Sequence, residues 1–324
     1  MRRPTLLRKK IGRVLLITLA LLMCFLLVQY FWTGSPPEEP AFPPTLLAHR
    51  GVHANYQKGV YDVKTGCEAG HIFSPKHAYI ENSLPAIRAA FRFGADIVEI
   101  DLRHSQDSQL MVFHDYALDC RTDGQGMVKH LPMDSLQRLD IGYGYTPDSG
   151  QSFPFRAQGR GMMPSLAQVL EAFPDQQFLL DHKDWNRASL KMLDNLLDSI
   201  PATVRPKLFL WSSSVFQDTF QKWHPEVRPL FLTRKEIKQH FLPFFLSFGA
   251  LKVPARLEGR AMVIPTAYLP YVWGWPYRFI EAVHEQGLQL YLWVDDVAEL
   301  PSLEGLPIDG MVTDYIEDIG PAFP

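Results

Sequence analysis

Short apolar runs recur along this chain, separated by longer stretches in which apolar residues repeat with helical spacing. The runs are too short for helices and bounded by turn-forming residues, so each predicts a buried strand. They cover residues 46–48, 97–102, 178–181, 208–211, 229–232, 262–264, 290–294 and 311–313. Helical spacing covers 83–93, 165–173, 187–199, 215–223 and 276–286. Strands that alternate with helices pair in parallel, and eight of them predict the α/β class and a (β/α)8 TIM barrel.

One further apolar run, residues 110–113, does not fit this alternation. Only about seven residues separate it from Asp101, which is too few for a parallel crossover but suits a hairpin. We therefore expect the second barrel strand to extend past the rim, turn at residues 106–108 and return His114 to the barrel mouth. The long, glycine-rich segment that follows, residues 116–163, predicts a cap.

The first 44 residues differ in character from the rest. Residues 14–32 carry no charge and are long enough to cross a bilayer as a transmembrane helix, with Tyr30 and Trp32 as interfacial anchors. Residues 1–13 hold six basic side chains and no acidic one, which predicts a cytoplasmic basic tail and a catalytic domain on the outer side. A cleaved signal peptide is the alternative, but residues 28–32 offer no small-residue cleavage site. Residues 33–44 are rich in proline and predict a stiff linker that lifts the domain, residues 45–324, off the bilayer.

Composition is that of a globular chain, with 47% apolar and 21% charged residues. Without the six N-terminal cations, 26 basic and 35 acidic side chains remain, a net charge of about −9. Such a domain repels nucleic acid at long range, so we expect no nucleic-acid partner. Outside the predicted membrane helix there are two cysteines, Cys67 and Cys120, and whether they pair is left open. The oligomeric state is also left open.

The chemistry concentrates between His49 and Asp115. Glu99 and Asp101 are two residues apart on a predicted strand, so their carboxylates project from the same face. Taken alone, such a pair is a solvated strand face, but the apolar neighbours predict burial, and buried carboxylates need a cation or hydrogen-bond partners. Hard carboxylate oxygens suit Mg²⁺ or Ca²⁺ better than zinc. A divalent metal site beside His49 and His114 is therefore predicted.

The ordered motifs of this chain resemble those of the glycerophosphodiester phosphodiesterase family. The first group contains His49-Arg50-Gly51, Glu81-Asn82-Ser83, Gly94-Ala95-Asp96, Glu99-x-Asp101, Asp107 and His114-Asp115. The second contains Arg121-Thr122, Gly126, Leu139-Asp140-x-Gly142, Pro164-Ser165-Leu166, Asp181-x-Lys183 and residues 308–315. The likeness extends from about residue 45 to the C-terminus.

The resemblance implies a TIM-barrel phosphoric diester hydrolase that cleaves glycerophosphodiesters to glycerol 3-phosphate and an alcohol. It implies His49 and His114 as general acid and base, and Arg50 and Lys183 as ligands of the substrate phosphate. Other pocket candidates are Glu81, Asn82 and Trp293. The implied metal ligands are Glu99, Asp101 and Asp181.

Two departures from the family pattern stand out. Family members commonly have Glu-x-Lys where this chain has Asp181-His182-Lys183, and the shorter aspartate implies a shifted cation or a bridging water. The segment 52–80 is an insertion that includes His53, Cys67, His71 and His77. The spacing of these four fits no standard zinc site, so we expect a surface loop beside the active-site mouth that shapes substrate choice.

Two aromatic segments, residues 241–248 and 268–277, follow predicted strands and fall near the catalytic rim. If exposed, they favour a membrane contact and a lysophospholipid substrate, as in a lysophospholipase D; the alternative is packing between barrel helices. A catalytically silent lipid-binding barrel is a hypothesis of another class, and the retained acid-base pair argues against it. The alcohol group, the choice between Mg²⁺ and Ca²⁺, and which histidine is the acid stay open.

Overall fold

A computed structural model describes residues 4–36, 43–57, 59–60, 67–184, 186–294 and 296–323, with side chains from residue 14 onward. Nine strands lie in these ranges. They are β1 Thr45–His49, β2 Ile97–His104, β3 Leu110–Val112, β4 Gln177–His182, β5 Leu208–Trp211, β6 Arg228–Pro229, β7 Ala261–Pro265, β8 Gln289–Trp293 and β9 Gly310–Thr313.

Eight of these strands form one parallel sheet in the order β6-β5-β4-β2-β1-β9-β8-β7. A parallel bridge between Phe231 and Ala261 joins the two ends of this order, so the sheet curls into a barrel. All eight predicted barrel strands are present. The run predicted at 229–232 is divided, because Pro229 pairs with β5 whereas Phe231 pairs with the start of β7.

The predicted hairpin is confirmed. Strand β3 pairs antiparallel with the end of β2, with Leu102 opposite Val112 and His104 opposite Leu110. The turn lies at the predicted residues, where Ser108 takes a φ of +64°. His114 therefore returns to the end of the barrel at which Asp101 lies.

Ten α-helices lie in the described ranges. They are α1 Pro4–Phe31, α2 Leu84–Arg92, α3 Met133–Leu136, α4 Leu166–Ala172, α5 Arg187–Ser199, α6 Ser214–Trp223, α7 Arg234–Glu236, α8 Leu242–Leu246, α9 Tyr277–His284 and α10 Ile316–Ile319. Side-chain caps fix several starts: Ser83 accepts from the Ala86 N–H, and Ser165 forms a capping box with Gln168. The five predicted helices are present with ends shifted by at most two residues.

Strand alternation divides the apolar residues between two layers. Val98, Ile100 and Leu102 face the helices in the large outer core. Ile97 belongs to the small cluster that fills the barrel interior, together with Leu47 and Leu179. Because alternate residues share a face, Glu99 and Asp101 project toward the barrel axis above Ile97.

A separate core lies under the cap, and it changes the interpretation of the 52–80 insertion. The cluster joins insertion residues such as Ala69 and Ile72 to cap residues such as Leu136 and Phe155. The expectation of a surface loop is therefore wrong: much of the described insertion is buried because it packs with the cap. A disulfide between Cys67 and Cys120 crosslinks the two segments, so Cys67 is not a zinc ligand here.

Removing this crosslink is expected to destabilise the cap. The pair spans 53 residues, and loss of a loop closure of that length corresponds to about 2–4 kcal/mol. We expect Cys67→Ser/Cys120→Ser to unfold at a clearly lower temperature than wild type in detergent micelles. Cys24→Ser, which changes the exposed free cysteine, is the matched control and should leave the midpoint unchanged. An unchanged midpoint in the double variant would contradict a structural role for the disulfide.

The aromatic segments are neither wholly buried nor wholly exposed. Phe241, Phe244 and Trp273 belong to the outer core, as expected for packing between barrel helices. Four large side chains of these segments stay exposed, namely Leu242, Leu246, Tyr268 and Tyr271. The two alternatives left open by the sequence therefore both hold in part: aromatic rings pack in the outer core, and a few exposed positions could contact a membrane.

One helix is long and apolar enough to cross a membrane by length and composition. Its most apolar stretch, Val14–Phe31, has a mean hydropathy of 2.5, and none of it is buried against the barrel. The predicted linker begins differently from expectation, because the Thr33 carbonyl accepts a hydrogen bond from the Arg278 N–H at 2.8 Å. Residues 37–42 of that linker lie outside the described residues.

Candidate active site

The predicted site residues converge at the carboxyl ends of neighbouring strands, as expected for a TIM barrel. Strand register aligns them directly: His49 of β1 lies opposite Glu99 of β2, and Asp101 of β2 lies opposite Asp181 of β4. Trp293 ends β8, and its ring centroid lies 5.1 Å from that of His49. Every residue proposed from the sequence therefore falls on or beside this one end of the barrel.

Three carboxylates form the centre of the site. One oxygen each from Glu99, Asp101 and Asp181 lies within 4.8 Å of the others. The Glu99 Oε1 atom is buried and has no hydrogen-bond partner among the described residues. Burial, together with the charges of Asp101 and Asp181, raises the pKa of Glu99 well above its usual value. An unpaired buried oxygen facing two other carboxylates fits a hard divalent cation.

The aspartate at position 181 reaches this cluster despite being shorter than the family's glutamate. Its carboxylate contacts the Lys183 ammonium, which also lies 2.8 Å from Asp101 Oδ1. Burial opposes the lysine charge, but Asp101 and Asp181 outweigh it and raise the pKa of Lys183. The lysine stays protonated and offsets part of the negative charge of the cluster.

Asn82 and Arg50 hold the carboxylates in place. The Asn82 amide donates to Asp101 Oδ2 at 2.8 Å and accepts from the Asp101 N–H at 3.1 Å. The Arg50 N–H donates to Glu99 Oε2 at 3.1 Å, and its Nε lies 3.3 Å from Asp101 Oδ2. Arg50 and Asn82 both have φ near +58°, and the Asn82 N–H donates to the Arg50 carbonyl. The two strained turns therefore support each other beside the carboxylate cluster.

Each predicted catalytic histidine is held by a carboxylate. His49 Nδ1 lies 2.6 Å from Asp314 Oδ1, which leaves Nε2 on the side of Glu99, at 3.9 Å. Burial, and then the neighbouring Arg50 charge, lower the pKa of His49, whereas Asp314 opposes this shift. A buried histidine with a lowered pKa is neutral near pH 7 and can accept a proton.

His114 is also held through Nδ1 by a carboxylate. Its Nδ1 lies 2.9 Å from Asp115 Oδ1, and Asp115 in turn accepts two hydrogen bonds from the Arg121 guanidinium at 3.0 and 3.1 Å. Burial opposes ionisation of Asp101, but Lys183 and then Arg50 lower its pKa well below the usual value, with smaller contributions from the two histidines. The carboxylate cluster thus lies within electrostatic reach of both histidines.

Comparison with known proteins identifies the family of this chain. The model of the glycerophosphoryl diester phosphodiesterase family matches residues 49–318. The chain belongs to this family. The family resemblance, the barrel fold and the enzyme class expected from the sequence, a phosphoric diester hydrolase, are thereby confirmed.

Individual relatives of this phosphodiesterase agree with that assignment. A glycerophosphodiester phosphodiesterase of Caldanaerobacter subterraneus is 24% identical over 74% of this chain and 90% of its own length. The human lysophospholipase D GDPD1 is 23% identical over 73% of this chain and 79% of its own. A solved phosphodiesterase of Oleispira antarctica, in complex with the product sn-glycerol-3-phosphate, has a TM-score of 0.56 at 18% identity, over 85% of this chain and 95% of its own.

Beside the carboxylate cluster, a buried ionic network joins the insertion to the cap. Arg50 Nη1 donates to Glu68 at 2.7 Å and to Glu81 at 3.1 Å. Glu81 also contacts the Arg121 guanidinium and accepts from the Tyr145 hydroxyl at 3.2 Å. Glu68 and Arg121 directly follow the two disulfide cysteines, so the crosslink holds both ends of this network. Arg50 is nearly enclosed by carboxylates, and its contact with substrate phosphate stays a prediction.

Two residues close to His49, namely Asp314 and His53, were not proposed as site residues from the sequence. Asp314 holds His49 and also lies 3.3 Å from Nε2 of His53, which is fully buried beside the site. Burial opposes the charge of His53, but the hydrogen bond with Asp314 outweighs it and raises the pKa of His53. Asp314 follows the last barrel strand, so the rule that active residues sit at strand carboxyl ends could have found it. No comparable signal marks His53 within the insertion.

Proposed function

We propose that this chain is a metal-dependent hydrolase that cleaves glycerophosphodiesters to glycerol 3-phosphate and an alcohol. The observation that carries the proposal is the pairing of two histidines with separate carboxylates, both within electrostatic reach of one acidic cluster. His49 is held by Asp314 and His114 by Asp115, at 2.6 and 2.9 Å. One imidazole can then take a proton while the other gives one, as phosphodiester cleavage requires.

Glu99, Asp101 and Asp181 would hold the divalent cation, and oxygen donors favour Mg²⁺ or Ca²⁺. When bound, the cation would draw the phosphate oxygens toward the site and offset the charge that develops on them. Lys183 and Arg50 would supply further positive charge to the phosphate. Glu81 and Asn82 would position these groups through the contacts described above, and Trp293 would form a wall of the pocket beside His49.

We assign the base to His49 and the acid to His114. Asp314 accepts the Nδ1 proton of His49, so Nε2 carries the lone pair on the side of the carboxylate cluster. The lowered pKa of His49 favours that neutral form. His114, held through Nδ1 by Asp115, would protonate the leaving alcohol oxygen from its other nitrogen.

For the membrane, we propose residues 14–32 as an uncleaved span, residues 1–13 as a cytoplasmic tail and residues 45–324 as the catalytic barrel on the outer side. The apolar helix and the basic residues before it support this orientation. A disulfide between Cys67 and Cys120 fits an oxidising, extracytoplasmic compartment.

A second candidate is hydrolysis of lysophospholipids by the same chemistry. It is favoured by the likeness to a human lysophospholipase D and by the exposed Tyr268 and Tyr271 on the segment after β7. The proposed membrane span would hold the pocket of the outer-side barrel near lysophospholipids of the membrane.

The test compares two substrates with the full chain in detergent micelles or nanodiscs. Release of glycerol 3-phosphate from glycerophosphocholine is expected with Mg²⁺ or Ca²⁺, and loss of that release in chelator. Release of choline from lysophosphatidylcholine alone would favour the second candidate. Inactivity on both, for a folded and metal-loaded protein, would contradict both assignments of substrate.

A further inference from the structure

The end of helix α1 is bonded to the barrel rather than separated from it. The Tyr30 hydroxyl donates to the Pro270 carbonyl at 3.0 Å, and the Gly274 N–H donates to the Tyr30 carbonyl at 2.9 Å. The Arg278 N–H donates to the Thr33 carbonyl at 2.8 Å. Three backbone or side-chain hydrogen bonds thus join residues 30–33 to residues 270–278.

Arg278 closes this junction with its side chain. Its guanidinium donates to the Gln29 carbonyl at 2.9 Å and also to the Gln29 side-chain oxygen. The same group lies 4.8 Å from the centre of the Trp32 ring and 5.5 Å from that of Trp273. A Cβ at Gly274 would lie 3.1 Å from the Trp32 carbonyl, and Gly274 has a φ of +63°. The two backbones therefore approach closely at a position where only glycine fits without strain.

The hydrogen bonds between residues 30–33 and 270–278 relate the position of the barrel to the depth of the helix end in the bilayer. Phe31 is the last residue of the apolar stretch, so residues 29–33 lie where the helix leaves the hydrocarbon layer. A barrel segment bonded to them lies at the same depth, at the level of the lipid headgroups. That segment follows β7, at the carboxyl-terminal end of the barrel where the active site lies.

We infer that the junction of Gln29, Tyr30 and Thr33 with residues 270–278 docks the catalytic rim of the barrel on the bilayer surface. The inference rests on the proposed membrane span and adds to it a fixed orientation. The surface involved, called the rim patch, consists of Leu242, Leu246, Tyr268 and Tyr271, and its occupant is the headgroup region of the same leaflet.

The exposure of the rim patch supports a lipid partner. Tyr271 is 70% exposed and directly follows Pro270, which is bonded to the helix end; Tyr268 is 61% exposed. Leu246 is 67% exposed and follows Phe245, whose carbonyl accepts from the Trp273 indole at 2.8 Å. Tyrosine at the headgroup level and leucine just below it are the residues that membrane interfaces favour.

The rim patch is also connected to the active site. The segment that carries Tyr268 and Tyr271 begins at Thr266, whose hydroxyl donates to the Trp293 carbonyl at 3.3 Å. Trp293 packs edge-on against His49. A short path of contacts therefore runs from the rim patch to the pocket wall. With the rim docked on the bilayer, the pocket lies close to phosphodiesters of membrane lipids.

The test measures the depth of the rim directly, without using activity. In a Cys24→Ser background, Tyr271→Cys carries a nitroxide label, and the full chain is placed in phosphatidylcholine nanodiscs. Glu258→Cys, at an exposed position before β7, is the matched control at the opposite end of the barrel. We expect the ratio of oxygen to nickel-complex accessibility to be severalfold higher at 271 than at 258, since apolar oxygen partitions into the membrane and the polar nickel complex stays in water.

Arg278→Ala should lower the ratio at 271 to that of the control, and Gln29→Ala should do the same from the helix side. Arg278 lies outside the catalytic machinery, so hydrolysis of soluble glycerophosphocholine by Arg278→Ala is expected to equal wild type and to report its fold. If the label at 271 had the accessibility ratio of a site in water while Gln29 and Arg278 were unchanged, the docking would be overturned. Failure of the chain to enter nanodiscs would overturn the membrane span as well, which distinguishes the two proposals.

Discussion

His49→Ala is expected to lower kcat on glycerophosphocholine by about 10²–10⁴-fold, the usual contribution of a general base. The substitution removes the imidazole that Asp314 orients and leaves the acidic cluster in place. The loss should appear in kcat more than in KM, because the proton transfer occurs only in the transition state. His130→Ala, which changes an exposed histidine of the cap, is the control and should retain wild-type kcat. A near-normal kcat in His49→Ala would contradict the assignment of the base.

The pH profile gives this prediction a second readout. A base must be neutral to act, so kcat/KM falls as the pH drops through the pKa of His49. Burial and Arg50 place that pKa below the usual value of 6.5, and a cation bound nearby would lower it further. The acidic limb of wild type should therefore lie below pH 6.5 at saturating metal, and His49→Ala should lack it. A limb that persists in the variant would assign the titration to another group.

Much of the site could be predicted because its residues obey local rules. Glu99 and Asp101 share a face through strand alternation, and the barrel rule places them with Lys183 at one end. The hairpin explains how His114 reaches a pocket so close in sequence to Asp101. These conclusions depend on spacing along single elements, which a sequence displays directly.

The unpredicted features depend on contacts between distant segments. Asp314 and His49 are 265 residues apart, and no local pattern relates them until the barrel brings β1 beside β9. The sequence of the insertion has no helical or strand periodicity, and its described part packs irregularly against the cap. The sequence therefore did not indicate that these residues are buried. The docking of Gln29 on Arg278 spans 249 residues and arises from the close approach of two backbones. Physical proximity across the fold, rather than residue type, determines each of these contacts.

Glu99→Gln is expected to abolish metal-dependent hydrolysis while removing the stabilisation that metal gives. In wild type, a cation at about 100 times its dissociation constant would add about 2.7 kcal/mol to the free energy of unfolding. For a domain of this size, that corresponds to a rise in Tm of roughly 5 °C. Glutamine keeps the shape of the side chain but removes one of three carboxylate charges, so the variant should show little rise. Thermal unfolding in micelles with Mg²⁺, Ca²⁺ or chelator measures the difference.

The behaviour of this variant in chelator distinguishes metal binding from a purely structural role. Without a cation, wild type keeps a buried Glu99 beside Asp101 and Asp181, with Oε1 lacking a hydrogen-bond partner in the described part of the chain. Replacing it by a neutral amide relieves that repulsion, so Glu99→Gln should melt at the same temperature as metal-free wild type or higher. Glu304→Gln, which changes an exposed carboxylate, should retain both activity and the metal-induced rise. If Glu99→Gln instead melted well below wild type in chelator, Glu99 would be a structural carboxylate held by protein partners. A metal-induced rise that survived the substitution would place the cation elsewhere.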